Sequence, residues 1–292
     1  MKESFRCIGR GVLSVALSMA LSMVVLAVAA PAQAQAGKKN AGNRLLLAVS
    51  EGTSGGIDSS EALAKYRPLA DLLGKAIGQP VVVTFVRSFD ALEEGMKKDE
   101  FDLVMARPSD YPARGVRDYG YSLLATAKPD GQCYFIVHKE SPLKKIEDAK
   151  GKQIIFPEKI AFMTKFCLAE LRDRGLDSAK EQIKYAKEQG AVGWSVENKL
   201  ADMGGVASYS SVGKNWEKDG NRILHKAPPQ PYFPLIASQR VPADKIAKLQ
   251  KALTGLEDSE DGKKALATIG VKGYNAEDSK RLLAMLAWLE KK

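Results

Sequence analysis

Few residues of this chain have the type and spacing that covalent chemistry needs. There are two histidines and three cysteines in 292 residues. His138 follows Cys133 by five positions within a strand-like run, and an odd spacing on a strand puts two side chains on opposite faces, which disfavours a Cys/His nucleophile pair. His225 has no acid or cysteine close to it in sequence. No serine sits in a Gly-x-Ser-x-Gly turn, and no Cys-x-x-Cys pair or His-rich tract offers a zinc site. The expectation is a protein that is not an enzyme and carries neither metal nor cofactor. What remains is chemistry of recognition. Glu51 opens the loop Gly52-Thr53-Ser54-Gly55-Gly56, whose glycines let backbone N–H groups approach a guest, although the spacing matches neither a dinucleotide fingerprint nor a P-loop.

Those residues need elements to hold them. The composition, 45% hydrophobic and 27% charged, is that of a globular chain, and the length suits two domains. The net charge of +9 permits an anionic small ligand, but the basic residues are scattered among acids without interleaved aromatics, so nucleic acid is not expected. Residues 1–36 read as a cleavable signal peptide. Lys2, Arg6 and Arg10 precede the apolar run Val12 to Ala30, and Ala32-Gln33-Ala34 and Ala34-Gln35-Ala36 each offer a small-x-small cleavage site. An uncleaved anchor is the rival reading, and the Ala-x-Ala ending favours cleavage and export to the periplasm.

Residues 45–49 form an apolar run typical of a buried strand. Tyr66, Leu69, Leu73 and Ile77 then recur at helical spacing before Gly78, and Val81 to Phe85 is β-branched. Phe89, Leu92 and Met96 suggest a second helix, and Phe101 to Met105 a third strand. This β-α-β-α-β order predicts a parallel sheet, with ligands in the loops beyond the carboxyl ends of its strands, here 50–60 and 106–110, the latter containing Ser109. Strands are expected at 123–126 and 133–137 with a Lys128-Pro129-Asp130-Gly131 turn between them. Ile160, Met163, Cys167 and Leu171 lie on one helix face, and a second α/β unit follows. The Pro-rich stretch 227–231 is stiff, and the last 50 residues are helical. The expected architecture is α/β in two lobes, lobe 1 from 37–138 plus 229–292 and lobe 2 from 139–228, joined by crossing segments near 125–139 and 228–236.

Within this frame the runs 64–73 (Ala-Lys-Tyr-Arg-Pro-Leu-Ala-Asp-Leu-Leu), Gly78-Gln79-Pro80-Val81, Asp102-Leu103-Val104, 137–142, 146–152, 200–204 and 241–245 resemble, in order and spacing, the phosphonate-, phosphite- and phosphate-type solute-binding proteins of ABC importers. The resemblance spans nearly all of 44–290. It implies a periplasmic, two-lobe, type II binding fold, expected to be monomeric, that closes on a small anionic ligand and delivers it to an ABC permease. An alternative is a sensor or accessory protein that signals to a membrane histidine kinase or a redox partner.

Departures from the family pattern mark the site. Where phosphonate binders carry a Ser-Thr-Ser anion cradle at a helix start, this chain reads Lys159-Ile160-Ala161. A first-lobe tyrosine reads Phe89, a turn glycine reads Arg107, and two family acids read Tyr209 and Phe233. The expected ligand residues are therefore Glu51, Ser54, Phe89, Arg107, Ser109, Lys159, Tyr209, Tyr232 and Phe233, with Arg107 and Lys159 as the cations that meet an oxyanion. Some relatives act as oxyanion sensors, which would give Cys133 a role toward a thiophilic guest such as arsenite; a Cys133–Cys167 disulfide and a buried free Cys167 thiol are the other readings open to these residues.

Overall fold

The computed structural model describes residues 44–51, 58–276 and 279–291. The expected signal peptide, the 37–43 lead-in and Ser54 lie outside the described residues. Two sheets flanked by helices make the two-lobe architecture. In the first, β1 (Leu45–Ser50) runs parallel to both β2 (Val81–Phe85) and β3 (Leu103–Ala106). Next come β10 (Gln230–Ser238), β4 (Tyr121–Gly131) and the edge strand β11 (Gly273–Asn275), with β10 antiparallel to both of its neighbours.

The second sheet sets β6 (Gln153–Pro157) parallel to β7 (Gln182–Ala186) and β8 (Met203–Ala207). It then continues antiparallel through β5 (Cys133–Val137) to β9 (Arg222–Lys226).

The strands form where apolar runs are buried on both sides, as in Leu47, Ala48 and Val49, all fully buried. Helix α1 (Ser59–Ile77) starts at Asp58, which accepts from the Glu61 N–H in a capping box. It ends where Gly78 takes a left-handed conformation at φ 65°, and it buries Tyr66, Leu69, Leu73 and Ile77 as their spacing predicts. Helix α2 (Phe89–Lys97) and α3 (Asp110–Asp118) cover the opposite face of the first sheet, joined there by the final helix α9 (Lys280–Glu290). Helices α7 (Ala243–Thr254) and α8 (Glu260–Ile269) pack with α1. The second sheet carries α4 (Phe162–Asp173), α5 (Gln189–Glu197) and the short α6 (Ser211–Asn215).

The structure moves three sequence-based boundaries. Lys128–Gly131 is not a free turn: it continues β4, held extended by β11 at Lys128 and by β10 at Gly131, with a cis Lys128–Pro129 bond. Cys133–Val137, read with lobe 1, pairs only with second-sheet strands, so the chain changes sheets at Gln132 rather than near 138. Ile160 is 50% exposed and precedes α4, because the helix begins only at Phe162.

The two crossings run side by side. Gly131 faces Gln230 on one side of the passage and Tyr134 faces Lys226 on the other. Between them, Gln132 donates through its side chain to the Ala227 carbonyl at 3.0 Å, and its own carbonyl accepts from the Ser208 N–H at 2.9 Å. Helix α9 makes a further tie: Leu282, Met285 and Leu286 are buried in the first lobe, whereas Trp288 meets Phe166 of α4 edge-on at 5.1 Å.

Candidate functional site

The carboxyl ends of β1 and β3 carry the site. Ser50 closes β1 beside Ala106, and the Arg107 N–H donates to the Ser50 carbonyl at 3.0 Å, which fixes where the next residues point. Glu51, 5% exposed, accepts hydrogen bonds from the Lys65 ammonium at 2.6 Å, the Tyr66 hydroxyl and the Arg107 Nε. Burial works against its charged form, but Arg107, Lys65 and Tyr66 outweigh it and hold the carboxyl below the usual glutamate range. Burial and the adjacent Glu51 push the Tyr66 phenol up, so it stays a donor.

The Arg107 guanidinium donates in three directions: to Glu51, to the Tyr232 hydroxyl, and at 2.9 Å to the Ile269 carbonyl. It lies 4.7 Å from the Phe233 ring centre and 5.8 Å from that of Tyr232. Two adjacent strand residues normally face opposite ways. Here the β10–β4 register shifts on either side of Tyr232, and Phe233 adopts φ 48°, so both rings flank the arginine. Tyr209, which follows β8 in the second lobe, stacks on Tyr232 at 4.2 Å. The structure thus brings Glu51, Arg107, Tyr209, Tyr232 and Phe233 together across the two lobes. It does so with the arginine engaged by protein groups, where the sequence reading had it facing a guest.

The remaining expected residues sit elsewhere. Phe89 is buried and stacks on Tyr111 at 5.1 Å, in the cluster that also receives Phe162 from α4, so it packs the lobes together. Lys159 is exposed in the turn before α4 and makes no hydrogen bond or ion pair among the described residues. Cys133 and Cys167 form a disulfide, with Cα atoms 5.5 Å apart, that staples β5 to α4. Neither sulfur is a free thiol, so the arsenite reading of Cys133 is withdrawn.

Among the described residues, four buried polar atoms at this edge have no hydrogen-bond partner: Ser50 Oγ, Ser109 Oγ, Asp110 Oδ1 and Thr126 Oγ1. The pairing shows why they share an edge. Leu235 faces both Met105 and Ala125, and β4 runs parallel to β3, so Thr126 and Ala106 each lie one residue beyond that level. Ser109 stands at the start of α3 without making a side-chain cap. The other oxygen of Asp110 accepts from Lys165 of α4 at 2.9 Å and from Arg114 at 3.2 Å. Ser109 was named as a site residue from sequence; Ser50 and Asp110 lie in the two loops marked for ligand without being named, and Thr126 lies outside them. The one signal Ser50 and Thr126 give is a polar residue inside or at the end of an otherwise apolar strand run.

A family model described as the periplasmic phosphonate substrate-binding protein of an ABC transporter matches residues 56–282. Among solved structures, XAC2383 from Xanthomonas citri bound to ATP is 14% identical, with a TM-score of 0.69 over 85% of this chain and 98% of its own. PhnD1 from Prochlorococcus marinus, in complex with methylphosphonate, is 14% identical with a TM-score of 0.64, covering 83% and 96%. The periplasmic aliphatic sulphonate binding protein SsuA from Escherichia coli is 16% identical with a TM-score of 0.55, covering 78% of each chain. At these identities the likeness is one of fold. No curated protein matches the chain in sequence.

Proposed function

Because this chain belongs to the family of periplasmic phosphonate substrate-binding proteins of ABC transporters, we propose that it carries a small anionic solute between its lobes and delivers it to an ABC permease. The observation that carries this reading is the set of unpartnered polar atoms on Ser50, Ser109, Asp110 and Thr126. Leaving such groups buried and unpaired costs about 1–3 kcal/mol each, and a polar guest would recover that cost. The charges point to the guest's sign. Glu51 is contacted by two cations, Lys65 and Arg107, and Asp110 by two more, Arg114 and Lys165. The edge therefore carries excess positive charge, which favours an oxyanion such as a phosphonate, sulfonate or carboxylate.

Ligand specificity in this reading comes from the hydroxyls. Arg107 acts one step back, holding Glu51 and Tyr232 in place. Geometry supports closure in this reading: a guest on the first-lobe edge would be covered by α4 and Tyr209 of the second, and a permease would sense the lobes' relative position. The test is a thermal-shift and calorimetry panel of phosphonates, sulfonates and carboxylates. A true ligand at about 100-fold excess over its Kd adds roughly 2.7 kcal/mol of stability. The Ser50→Ala/Ser109→Ala/Thr126→Ala variant should fold and lose that increment; an undiminished increment removes these hydroxyls from the site.

A further inference from the structure

A second concave site lies on the second lobe, away from the crevice. It is a groove of about 420 Å³ between α5 and α6, lined by Gly190, Gly193, Trp194, Glu197, Val212, Trp216 and Asp219, with Ser211 and Asn215 beside them. Trp194 is 61% exposed, an unusual position for the largest apolar side chain, and its indole N–H has no acceptor among the described residues. Trp216 forms the inner wall. Its own N–H is turned away to the carbonyls of Val137 and Arg222, both at 3.1 Å, so it presents carbon to the groove.

The two glycines of α5 differ in an informative way. A Cβ on Gly193 would come within 2.9 Å of Val212, so close packing of α6 requires that glycine. A Cβ on Gly190 would meet nothing within 4 Å, and its backbone is not left-handed. Neither packing nor conformation demands a glycine there, and in a helix glycine costs up to about 1 kcal/mol relative to alanine. Its effect is to keep the groove clear.

The rim is acidic in a chain of net charge +9. Among the described residues, Glu197 has one oxygen on the Asn221 amide and the other without a hydrogen-bond partner, and the exposed Asp219 carboxylate has no ion pair. Lys199, the nearest cation in sequence after α5, is drawn off to Glu140 at 2.7 Å. A flat aromatic face beside two carboxylates suits a guanidinium or ammonium group, through cation–π contact and charge-assisted hydrogen bonds. The groove is too exposed to enclose a free small molecule, since sites for such ligands bury 70–90% of the guest. A side chain presented by a second protein needs no such enclosure.

We propose that the α5–α6 groove docks an arginine- or lysine-bearing segment of a protein partner, with the cation between Trp194 and the carboxylates of Glu197 and Asp219. The protein's three tryptophans give three indole N–H resonances, so the test is a 15N-tryptophan NMR titration with acetyl-Gly-Arg-Gly-amide. The Trp194 signal should move saturably, more than that of Trp216 on the inner wall, while that of the distant Trp288 holds still, and the glutamine analogue of the peptide should leave all three in place. Glu197→Gln with Asp219→Asn should weaken binding about tenfold. Gly190→Leu, on an open helix face, should fold normally and abolish binding. Equal responses to the arginine and glutamine peptides, or unchanged affinity in the double variant, overturn the proposal. Binding of methylguanidinium as tight as that of the peptide overturns the protein partner in favour of a free cation.

Discussion

The Nζ of Lys165 lies 2.9 Å from Oδ2 of Asp110, although the lysine belongs to α4 of the second lobe and the aspartate opens α3 of the first. Arg114 contacts the same oxygen from within the first lobe. One buried carboxylate is thus shared between a partner from its own lobe and a partner from the other.

That sharing predicts a shift in closure rather than a loss of fold. Lys165 is partly exposed, so its pair with Asp110 contributes about 1 kcal/mol. Lys165→Met should keep the melting temperature within a few degrees, increase the radius of gyration seen by solution scattering, and weaken ligand binding about fivefold. A scattering profile identical to wild type would separate this contact from closure.

Arg107 gives the opposite expectation. Arg107→Met takes the guanidinium away from the buried Glu51 carboxylate, and removing one partner of a buried charge pair costs about 3–5 kcal/mol. Thermal unfolding should fall by roughly 2–4 °C per kcal/mol lost. Adding Glu51→Gln should restore a large part of that loss, because it removes the abandoned charge. Loss of ligand binding with full stability in Arg107→Met would instead make the arginine a direct ligand group.

Acid should act through Glu51. Its pKa in the folded protein is depressed below the ordinary 4.5 by Arg107, Lys65 and Tyr66, so the stabilisation is complete above that value and disappears as pH falls through the folded-state value. Urea unfolding measured between pH 6 and pH 3 should show stability falling below about pH 4.5, with a flatter profile in Glu51→Gln. Parallel profiles for the two proteins would place the acid sensitivity in other groups.

The Cys133–Cys167 staple spans a sequence separation of 34. Constraining a loop of that size in the unfolded chain is worth about 3–4 kcal/mol. Reduction, or Cys167→Ser with Cys133→Ser, should lower the melting temperature while leaving ligand affinity near wild type, since the bridge ties β5 to α4 away from the unpartnered hydroxyls. Mass spectrometry of the untreated protein should show no thiol available to arsenite or to an alkylating agent at either position.

The fold was legible wherever local pattern and burial agree. Tyr66, Leu69, Leu73 and Ile77 announce α1, and Gly78 announces its end, because helix periodicity and a left-handed stop are properties of adjacent residues. Lys128–Gly131 misleads for the complementary reason. A Pro-Asp-Gly sequence favours a turn locally, yet ladder pairing opposite Gln230 and Gly273, far along the chain, keeps it in β4. The site divides in the same manner. Its loops could be located from strand order, and Glu51, Arg107, Tyr209, Tyr232 and Phe233 do converge. What one residue does for another was hidden: Arg107 reads as an available cation until Glu51, 56 positions earlier, is seen against it. Ser50, inside a marked loop, and Thr126, outside one, were not singled out because a lone hydroxyl in an apolar run carries no spacing signal.

The final helix has a practical consequence. Its first turns are anchored in one lobe, its last turn is gripped by the other, and Arg172 holds the carbonyls of Trp288 and Lys291 at 2.9 and 2.6 Å. A purification handle or fluorescent reporter fused behind it would therefore hang from the joint of the molecule, where a pull of thermal size leans directly on the angle the lobes adopt.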